Sequence, residues 1–429
     1  MQIHLKTLGC RLNEAELEMW AQTFQEQGHR ITQHIEEAQV IIINSCAVTQ
    51  DAVRKSRQLI RRIHRENPRS KLVVSGCYAT LNTQEVQSLL GVDLVISNQN
   101  KTRLVAHVLN ELSIENMPTM ATEPSEVALF TRGRQRAFVK VQDGCRYCCT
   151  FCIVTIARGE EVSRTINDVI TEINNLSAQG IHEVVLTGVH LGGYGSDTGE
   201  SLVTLIQAIL EKTDIPRLRL GSLEPWELTA EFFELFHNSR LMPHLHLPLQ
   251  SGSNTVLKRM ARRCRTHEYK AIIEKLRSTF PAFNITTDII VGFPDESEYE
   301  WQESIDFIEN CQFGHLHIFT YSPREGTKAA SFPNPIHPTI KKQRSEQLHA
   351  LAQSMKKTFY EKSLHQTYPV LWEGQYTLLN NGKQRVFGYT PNYLRVACDT
   401  DPHVRFENQI HPIYLTHIEE EYALGRMIS

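Results

Sequence analysis

The sequence predicts an α/β protein in three parts: an N-terminal doubly wound parallel sheet, a central partial (β/α)6 barrel, and a small antiparallel β-barrel at the C-terminal end. Three observations predict it. The chain has 429 residues, too many for one hydrophobic core, so two or three domains are expected. Short apolar runs alternate with stretches of helical period through most of its length, the pattern of parallel strands covered by helices. From about residue 366 the texture changes to short β-like runs broken by Gly-Tyr and Pro-Asn turns, as in VFGYTPNYLRV, which suits a small closed sheet.

The first series occupies residues 1–112. Ile3 and Leu5 alternate with polar neighbours, and Leu17, Trp20, Ala21 and Phe24 recur at i, i+3, i+4 and i+7, an amphipathic helix. The runs VIIIN (40–44) and KLVVSG (71–76) suit buried parallel strands, with helical stretches near 51–66 and 83–90. Residues 113–135, with Pro118 and Pro124 and little periodicity, read as a linker. A second series fills 136–365, with strands expected at 137–141, 182–188, 217–222, 245–249, 285–293 and 315–321. Six such units make a partial barrel, whose ligands sit at the C-terminal ends of the strands. Ile340, Leu348, Leu351, Met355 and Phe359 then line one face of a long helix, and residues 366–429 form the last part.

Composition narrows the class. Hydrophobic residues make up 41% and charged residues 22%, which excludes a disordered or collagen-like chain. Lys and Arg total 45 against 48 Asp and Glu, so any nucleic-acid contact has to come from local patches. The longest apolar runs, such as Val40-Ile41-Ile42-Ile43, fall far below the roughly 18 residues of a membrane span, and no membrane partner is expected. The opening MQIHLKTLGC has no continuous apolar segment of the secretory kind. A cytoplasmic location is therefore expected. Ten cysteines in such a chain point to metal or redox chemistry rather than to disulfides.

The densest chemical signal is GCRYCCTFC at 144–152, where Cys145, Cys149 and Cys152 are spaced C-x3-C-x2-C just after the first strand of the second series. Three thiolates on one tight loop hold three irons of a [4Fe–4S] cluster and leave the fourth open to a ligand. The competing reading is a zinc loop, but structural zinc wants four closed ligands and no fourth cysteine or histidine is spaced for it. Cys148 offers a second register and reads as an incidental neighbour. Cys10, Cys46 and Cys77 lie 36 and 31 residues apart, each at the end of a successive predicted strand. The carboxyl ends of parallel strands share one rim, so these three should meet. Three buried core thiols are the alternative. Cys264, Cys311 and Cys398 show no such pattern.

The C-x3-C-x2-C loop, with Phe151 before its last cysteine, resembles the radical S-adenosylmethionine (SAM) superfamily. That resemblance implies that the open iron binds SAM and that cleavage of SAM yields a 5′-deoxyadenosyl radical, with Phe151 beside the adenine. Two triads in two domains resemble, more narrowly, the methylthiotransferases. The motifs TLGCRLNEAE, NSCAVT, SGCYA, ARGEEVSR, LTGVHLGGYG, HLPLQSGS and DIIVGFPDE carry this over nearly the whole chain. The family resemblance implies an auxiliary [4Fe–4S] cluster on Cys10, Cys46 and Cys77 that provides sulfur, SAM as both methyl donor and radical source, and a C-terminal RNA-binding TRAM-like barrel. It also implies an electron donor such as flavodoxin or ferredoxin, and a tRNA anticodon stem-loop as partner.

Weaker carry-overs place Gly188 near SAM and make Ser222, Glu224, Gln250 and Ser251 polar-ligand candidates on the active rim, while His190 and His246 read as satisfied polar residues. GFPDE departs from the family's common GFPGE at Asp295. The stretches NSCAVTQDAVRKSRQLIRR, RLRLGSLEP and GYTPNYLRV look closest to the branch that methylthiolates C2 of N6-threonylcarbamoyladenosine at position 37. The isopentenyladenosine enzyme, the ribosomal-protein aspartate enzyme and a non-catalytic zinc-containing RNA-binding protein remain alternatives. A plain electron carrier is disfavoured because neither triad has a fourth cysteine. Three basic clusters support RNA: Arg54, Arg57, Arg61 and Arg65 along one helix face, KRMARRCR at 258–265, and Arg132, Arg134, Arg136 and Lys140.

Overall fold

The computed structural model describes residues 1–112, 136–419 and 421–428; the expected linker, with Arg132 and Arg134, lies outside them. The N-terminal part runs β1 (Gln2–Thr7), α1 (Arg11–Glu26), β2 (Arg30–Ile31), β3 (Val40–Ser45), α2 (Gln50–Glu66), β4 (Lys71–Gly76), α3 (Cys77–Leu81), α4 (Thr83–Gln87), β5 (Val92–Ile96) and α5 (Leu104–Glu111). Its sheet is parallel throughout, in the order β2-β1-β3-β4-β5, one of the two common doubly wound arrangements. The unbroken apolar run of β3 has a direct cause. Ile41 and Ile43 pack with Ile60 and Ile63 of α2, while Val40 and Ile42 pack on the other face with Trp20 and Phe24 of α1. Edge strands β2 and β5 had no such signal, one being two residues long and the other carrying the exposed Asp93.

The central part comprises β6 (Arg136–Lys140), the short antiparallel pair β7 (Gln142–Asp143) and β8 (Val162–Ser163), and α6 (Val154–Arg158) between them. It continues with α7 (Ile166–Ala178), β9 (Glu183–Thr187), α8 (Leu202–Lys212), β10 (Arg217–Leu220), α9 (Ala230–Glu234), β11 (His244–His246), α10 (Asn254–Arg259), α11 (Thr266–Thr279), β12 (Asn284–Val291), α12 (Glu298–Cys311), β13 (His315–Thr320) and α13 (Pro338–Glu361). Two parallel sheets, β6-β9-β10 and β11-β12-β13, are joined by the bridges Leu218–Leu241 and Ser222–His246. The six strands thus follow one another in chain order as a partial barrel, with α1 lying along β6. Burial along α13 begins only at Arg344, which leaves Ile340 exposed, contrary to the predicted face, whereas Leu348 and Met355 are buried. Among the described residues no helix is long and apolar enough to cross a membrane.

Strands β14 (Thr367–Leu378), β15 (Gln384–Tyr389), β16 (Arg395–Thr400), β17 (Ile410–Ile418) and β18 (Ala423–Met427) close a five-stranded barrel around Val370, Trp372, Val396, Ile413 and Leu415. One pair, β16 with β18, is parallel; the rest are antiparallel. This barrel caps the N-terminal ends of the central strands. Arg217 donates to the carbonyls of Tyr389 and Pro369, Arg219 to that of Pro391, and Asn284 to that of Asn392. Tyr393 plugs the floor, stacked on Tyr389 at 4.9 Å, with Arg219 4.4 Å from its ring. Tyr389 and Tyr393 are therefore residues of the interface between the two barrels.

Candidate active site

The loop carrying Cys145, Cys149 and Cys152 follows β7 and is fixed from several sides. A side chain on Gly144 (φ 74°) would collide with the Glu160 carbonyl. The Cys145 amide donates to Gly159 O (3.2 Å), Thr150 N to Met260 O (3.0 Å) and Ala329 N to Thr150 O (2.8 Å). The three sulfurs share one neighbourhood. Burial pushes the Cys145 thiol up to about 12, with Cys152 and Cys149 adding to it, and burial pushes Cys152 up to about 11, again with Cys149 contributing. Cys148 is exposed. The Arg262 guanidinium lies 3.8 Å from Cys149 Sγ and forks Glu224 at 3.0 and 2.7 Å.

The second triad sits on the rim of the N-terminal sheet. Cys10 precedes α1, Cys46 follows β3 and Cys77 opens α3, so the three mark the ends of the adjacent strands β1, β3 and β4. A Cβ on Gly9 would lie 3.0 Å from Cys46 Sγ, so glycine admits the close approach. Burial pushes the Cys46 thiol up to about 11, and the thiols of Cys77 and Cys10 raise it further. Each triad thus gathers three thiols, with Cys148 beside Cys149 but exposed, the donor set of a [4Fe–4S] cluster with one open iron.

The two rims face each other. Helix α6 starts two residues after Cys152 and packs on α3, whose first residue is Cys77. Asn98 ties them together, donating to Ala157 O at 2.7 Å with Cys77 Sγ at 3.8 Å. Beside this lies Glu16 of α1, fully buried, ion-paired with Lys101 of its own domain and with Lys140 and Arg158 (each 3.1 Å) of the central part. Burial alone would raise its carboxyl; Lys101, Arg158 and Lys140 together hold it well below the usual range. Arg158 also reaches Asp143 at 2.9 Å and Asn13 at 2.8 Å.

The remaining candidates separate. Phe151 is half-buried against Val256, Met260, Phe293 and Tyr321. Gly188 packs on Gln142, whose Oε1 would be 2.9 Å from an added Cβ. Ser222 is exposed on the rim, and Glu224 is engaged by Arg262. Gln250 adopts φ 77° and donates its amide to Asp288 O. Ser251 departs from expectation: it is buried, with its hydroxyl on Ser304 (3.0 Å) and on the Ser253 amide, because α12 packs there. Asp295 has φ 62° and bonds Asn334, which explains how this chain replaces the usual glycine. His190 is indeed a satisfied polar residue, held between Glu161 (2.5 Å) and Glu227 (2.6 Å), and Tyr147 donates to Glu227 at 2.7 Å.

Sequence reasoning passed over Glu16, Glu161 and Glu227, whose partners come from distant segments. The basic clusters also divide. Arg54, Arg57 and Arg61 line a groove of about 1000 Å³ between α2, α6 and the loop at Arg324. In KRMARRCR, however, Arg259 pairs with Glu300 and Arg262 with Glu224, and Arg136 and Lys140 pair with Glu373 and Glu16, so these four turn inward.

Residues 2–97 match the Uncharacterized protein family UPF0004, and residues 139–308 the Radical SAM superfamily. The chain is 36% identical to the threonylcarbamoyladenosine tRNA methylthiotransferase MtaB of Bacillus subtilis, covering 91% of this chain and 89% of that protein. It is 32% identical to the Chlamydia pneumoniae protein of the same name, over 99% and 97%. A tRNA-2-methylthio-N(6)-dimethylallyladenosine synthase of Anoxybacillus flavithermus is 32% identical over 91% of this chain and 76% of that one. The fold is shared with the radical S-adenosylmethionine methyltransferase TsrM of Kitasatospora setae, with a TM-score of 0.56, 13% identity and 77% of each chain covered. Similarity of this degree along nearly the whole length makes the chain a member of the radical SAM tRNA methylthiotransferases.

Proposed function

We propose that this protein replaces C2–H of N6-threonylcarbamoyladenosine, at position 37 beside the tRNA anticodon, with C2–S–CH3. Its parts would be an N-terminal methylthiotransferase domain (1–112), a radical SAM domain (136–365) and a TRAM-like RNA-binding domain (366–429). The family carries two [4Fe–4S] clusters and uses SAM. The single observation that carries the reading is the pair of cysteine triads facing one another across the α3–α6 contact. Cys145, Cys149 and Cys152 would hold the cluster whose open iron takes SAM, and Cys10, Cys46 and Cys77 the auxiliary one. When bound, the first supplies the electron that cleaves SAM and the second the sulfur.

The chain's own residues do the rest. Arg262 beside Cys149 and Arg158 near Cys10 and Cys77 would offset the negative charge of thiolate-bound iron. Candidate SAM contacts are Phe151, Ser222, Glu224 and Gln250, on or beside the same rim. Arg54, Arg57 and Arg61 would bind anticodon-stem phosphates, and the unpaired loop presents the base at modest cost. A reductant of the flavodoxin or ferredoxin type would serve it in the cytoplasm. The names of the Bacillus subtilis, Aquifex aeolicus and Thermotoga maritima relatives, 34–36% identical, favour threonylcarbamoyladenosine over the dimethylallyl substrate. Mass spectrometry of nucleosides from host tRNA tests this. Deletion of the gene should remove 2-methylthio-N6-threonylcarbamoyladenosine and accumulate its precursor; loss of only the dimethylallyl product would overturn the substrate.

A further inference from the structure

Above the Tyr393 floor, the inner wall of the partial barrel is polar. Strands β12 and β13 pair Asp288 with His317, while the alternate residues Ile285, Ile289 and Leu316 join the core packed against the helices. His246 at the end of β11 lies 3.1 Å from Asp288 and 2.9 Å from Thr286 Oγ1. The His317 ring is 5.2 Å from that of His246, and the polar atoms of His246, Asp288 and His317 all fall within 4.8 Å of one another. His317 is exposed to the interior space.

Into this space comes Arg11, the first residue of α1 and the neighbour of Cys10. Its guanidinium lies 5.6 Å from the Phe138 ring and donates to the Tyr393 hydroxyl at 3.1 Å. Its charge, with that of Arg219, bears on His244, and it bears on His317 as well. Among the described residues no carboxylate pairs with Arg11, although the other arginines of this interior, Arg136, Arg217 and Arg219, all share Glu183. A cation at the His246–Asp288–His317 point would meet the Arg11 guanidinium, which has no paired carboxylate among the described residues. An anion would be welcomed by it.

We propose that Arg11 and His317, backed by the His246–Asp288 pair, form the subsite that binds the carboxylate on the N6 substituent of the target adenosine and so selects threonylcarbamoyl over an apolar group. The assignment rests on the reading of the chain as a threonylcarbamoyladenosine enzyme. Threonylcarbamoyl carries a carboxylate, a hydroxyl and urea N–H groups, whereas dimethylallyl is hydrocarbon. Covering Arg11 and His317 with hydrocarbon removes their water and returns no hydrogen bond. A site built to hydrogen-bond its substrate rejects the analogue that lacks the partner far more strongly than an apolar pocket can discriminate. Arg11 is also well placed in the chain, since its neighbour Cys10 belongs to the triad proposed to hold the sulfur.

The test uses reconstituted holoenzyme and three anticodon stem-loops, bearing N6-threonylcarbamoyladenosine, its carboxylate capped as the methylamide, or the dimethylallyl group. For the unaltered protein, capping should lower kcat/KM roughly 10- to 100-fold, the range for losing a hydrogen bond to a charged group. His317→Phe and Arg11→Gln should each lose a comparable factor on the free acid and become nearly indifferent to capping. Either variant keeping the full preference for the free carboxylate, or losing the acid and the methylamide equally, overturns the subsite. Should His317→Phe fail to fold, Arg11→Gln and the binding constants of the two RNAs decide alone. An unaltered enzyme that modifies only the dimethylallyl RNA would instead sink the underlying substrate reading.

Discussion

Substituting Glu16 with Gln tests whether the buried charge junction holds the two rims together. Glu16 is wholly inaccessible and neutralises Lys101, whose side chain is 3% exposed, as well as Lys140 and Arg158. The last two keep Asp143 as a second anion; Lys101 has no other carboxylate among the described residues. Glu16→Gln therefore strands one buried ammonium, and breaking a buried pair in this way costs about 3–5 kcal/mol. At roughly 2–4 °C per kcal/mol for a unit of this size, the melting temperature should fall by about 10 °C.

The assay is thermal unfolding of the unaltered protein, Glu16→Gln, and the double variant Glu16→Gln with Lys101→Met. Removing both partners should recover most of the loss. The pH dependence has a definite sign. Because the folded carboxyl titrates below its ordinary 4.5, its stabilisation is present above that pH and disappears as pH falls through the folded value. A single variant melting within a degree of the parent, or a double variant no better than the single, would refute the reasoning.

Three further outcomes are expected. Alanine at Cys10, Cys46, Cys77, Cys145, Cys149 or Cys152 should remove about four of about eight irons per chain and abolish turnover, whereas Cys148→Ala should keep both; iron analysis and visible absorption decide. Arg61→Ala, on the α2 groove, should weaken anticodon stem-loop binding and reduce the slope of log Kd against log salt by about 1, and an unchanged slope would remove that helix from the interface. Asp295→Gly should melt as the parent does, because glycine adopts φ 62° without strain, while Asp295→Ala, which keeps the β-carbon but loses the polar side chain that eases the left-handed region and bonds Asn334, should cost about 1–2 kcal/mol by denaturant unfolding.

Much of this molecule is readable from its sequence where one rule covers many residues. Continuous apolar runs locate the buried strands because both faces are covered, as with Val40–Ile43. Cysteines at strand ends meet because parallel strands share a rim. What is not readable is the identity of long-range charge partners. KRMARRCR looks like a phosphate-binding surface, yet Glu300 and Glu224 arrive from elsewhere and turn Arg259 and Arg262 inward. Tyr389 and Tyr393 carry no mark in the sequence that they seal another barrel's floor. The parallel pairing of β16 with β18 depends on the path of β17, which local turn signals do not encode.

The junction around Glu16 also bears on how the enzyme would survive oxidants. Its ion pairs run between carboxylates, ammonium groups and a guanidinium, and sulfur reaches it at one point, where Cys10 Sγ lies 3.8 Å from the Asn13 amide oxygen that Arg158 also bonds. None of the ion pairs that register the two rims is thus made by one of the six cysteines. A chain stripped of a cluster by oxygen would keep these ion pairs, and Cys10, Cys46 and Cys77 would remain at the ends of three hydrogen-bonded strands. Damage of that kind becomes a repair problem rather than a refolding problem: iron and sulfide can be delivered again to a site that has not come apart.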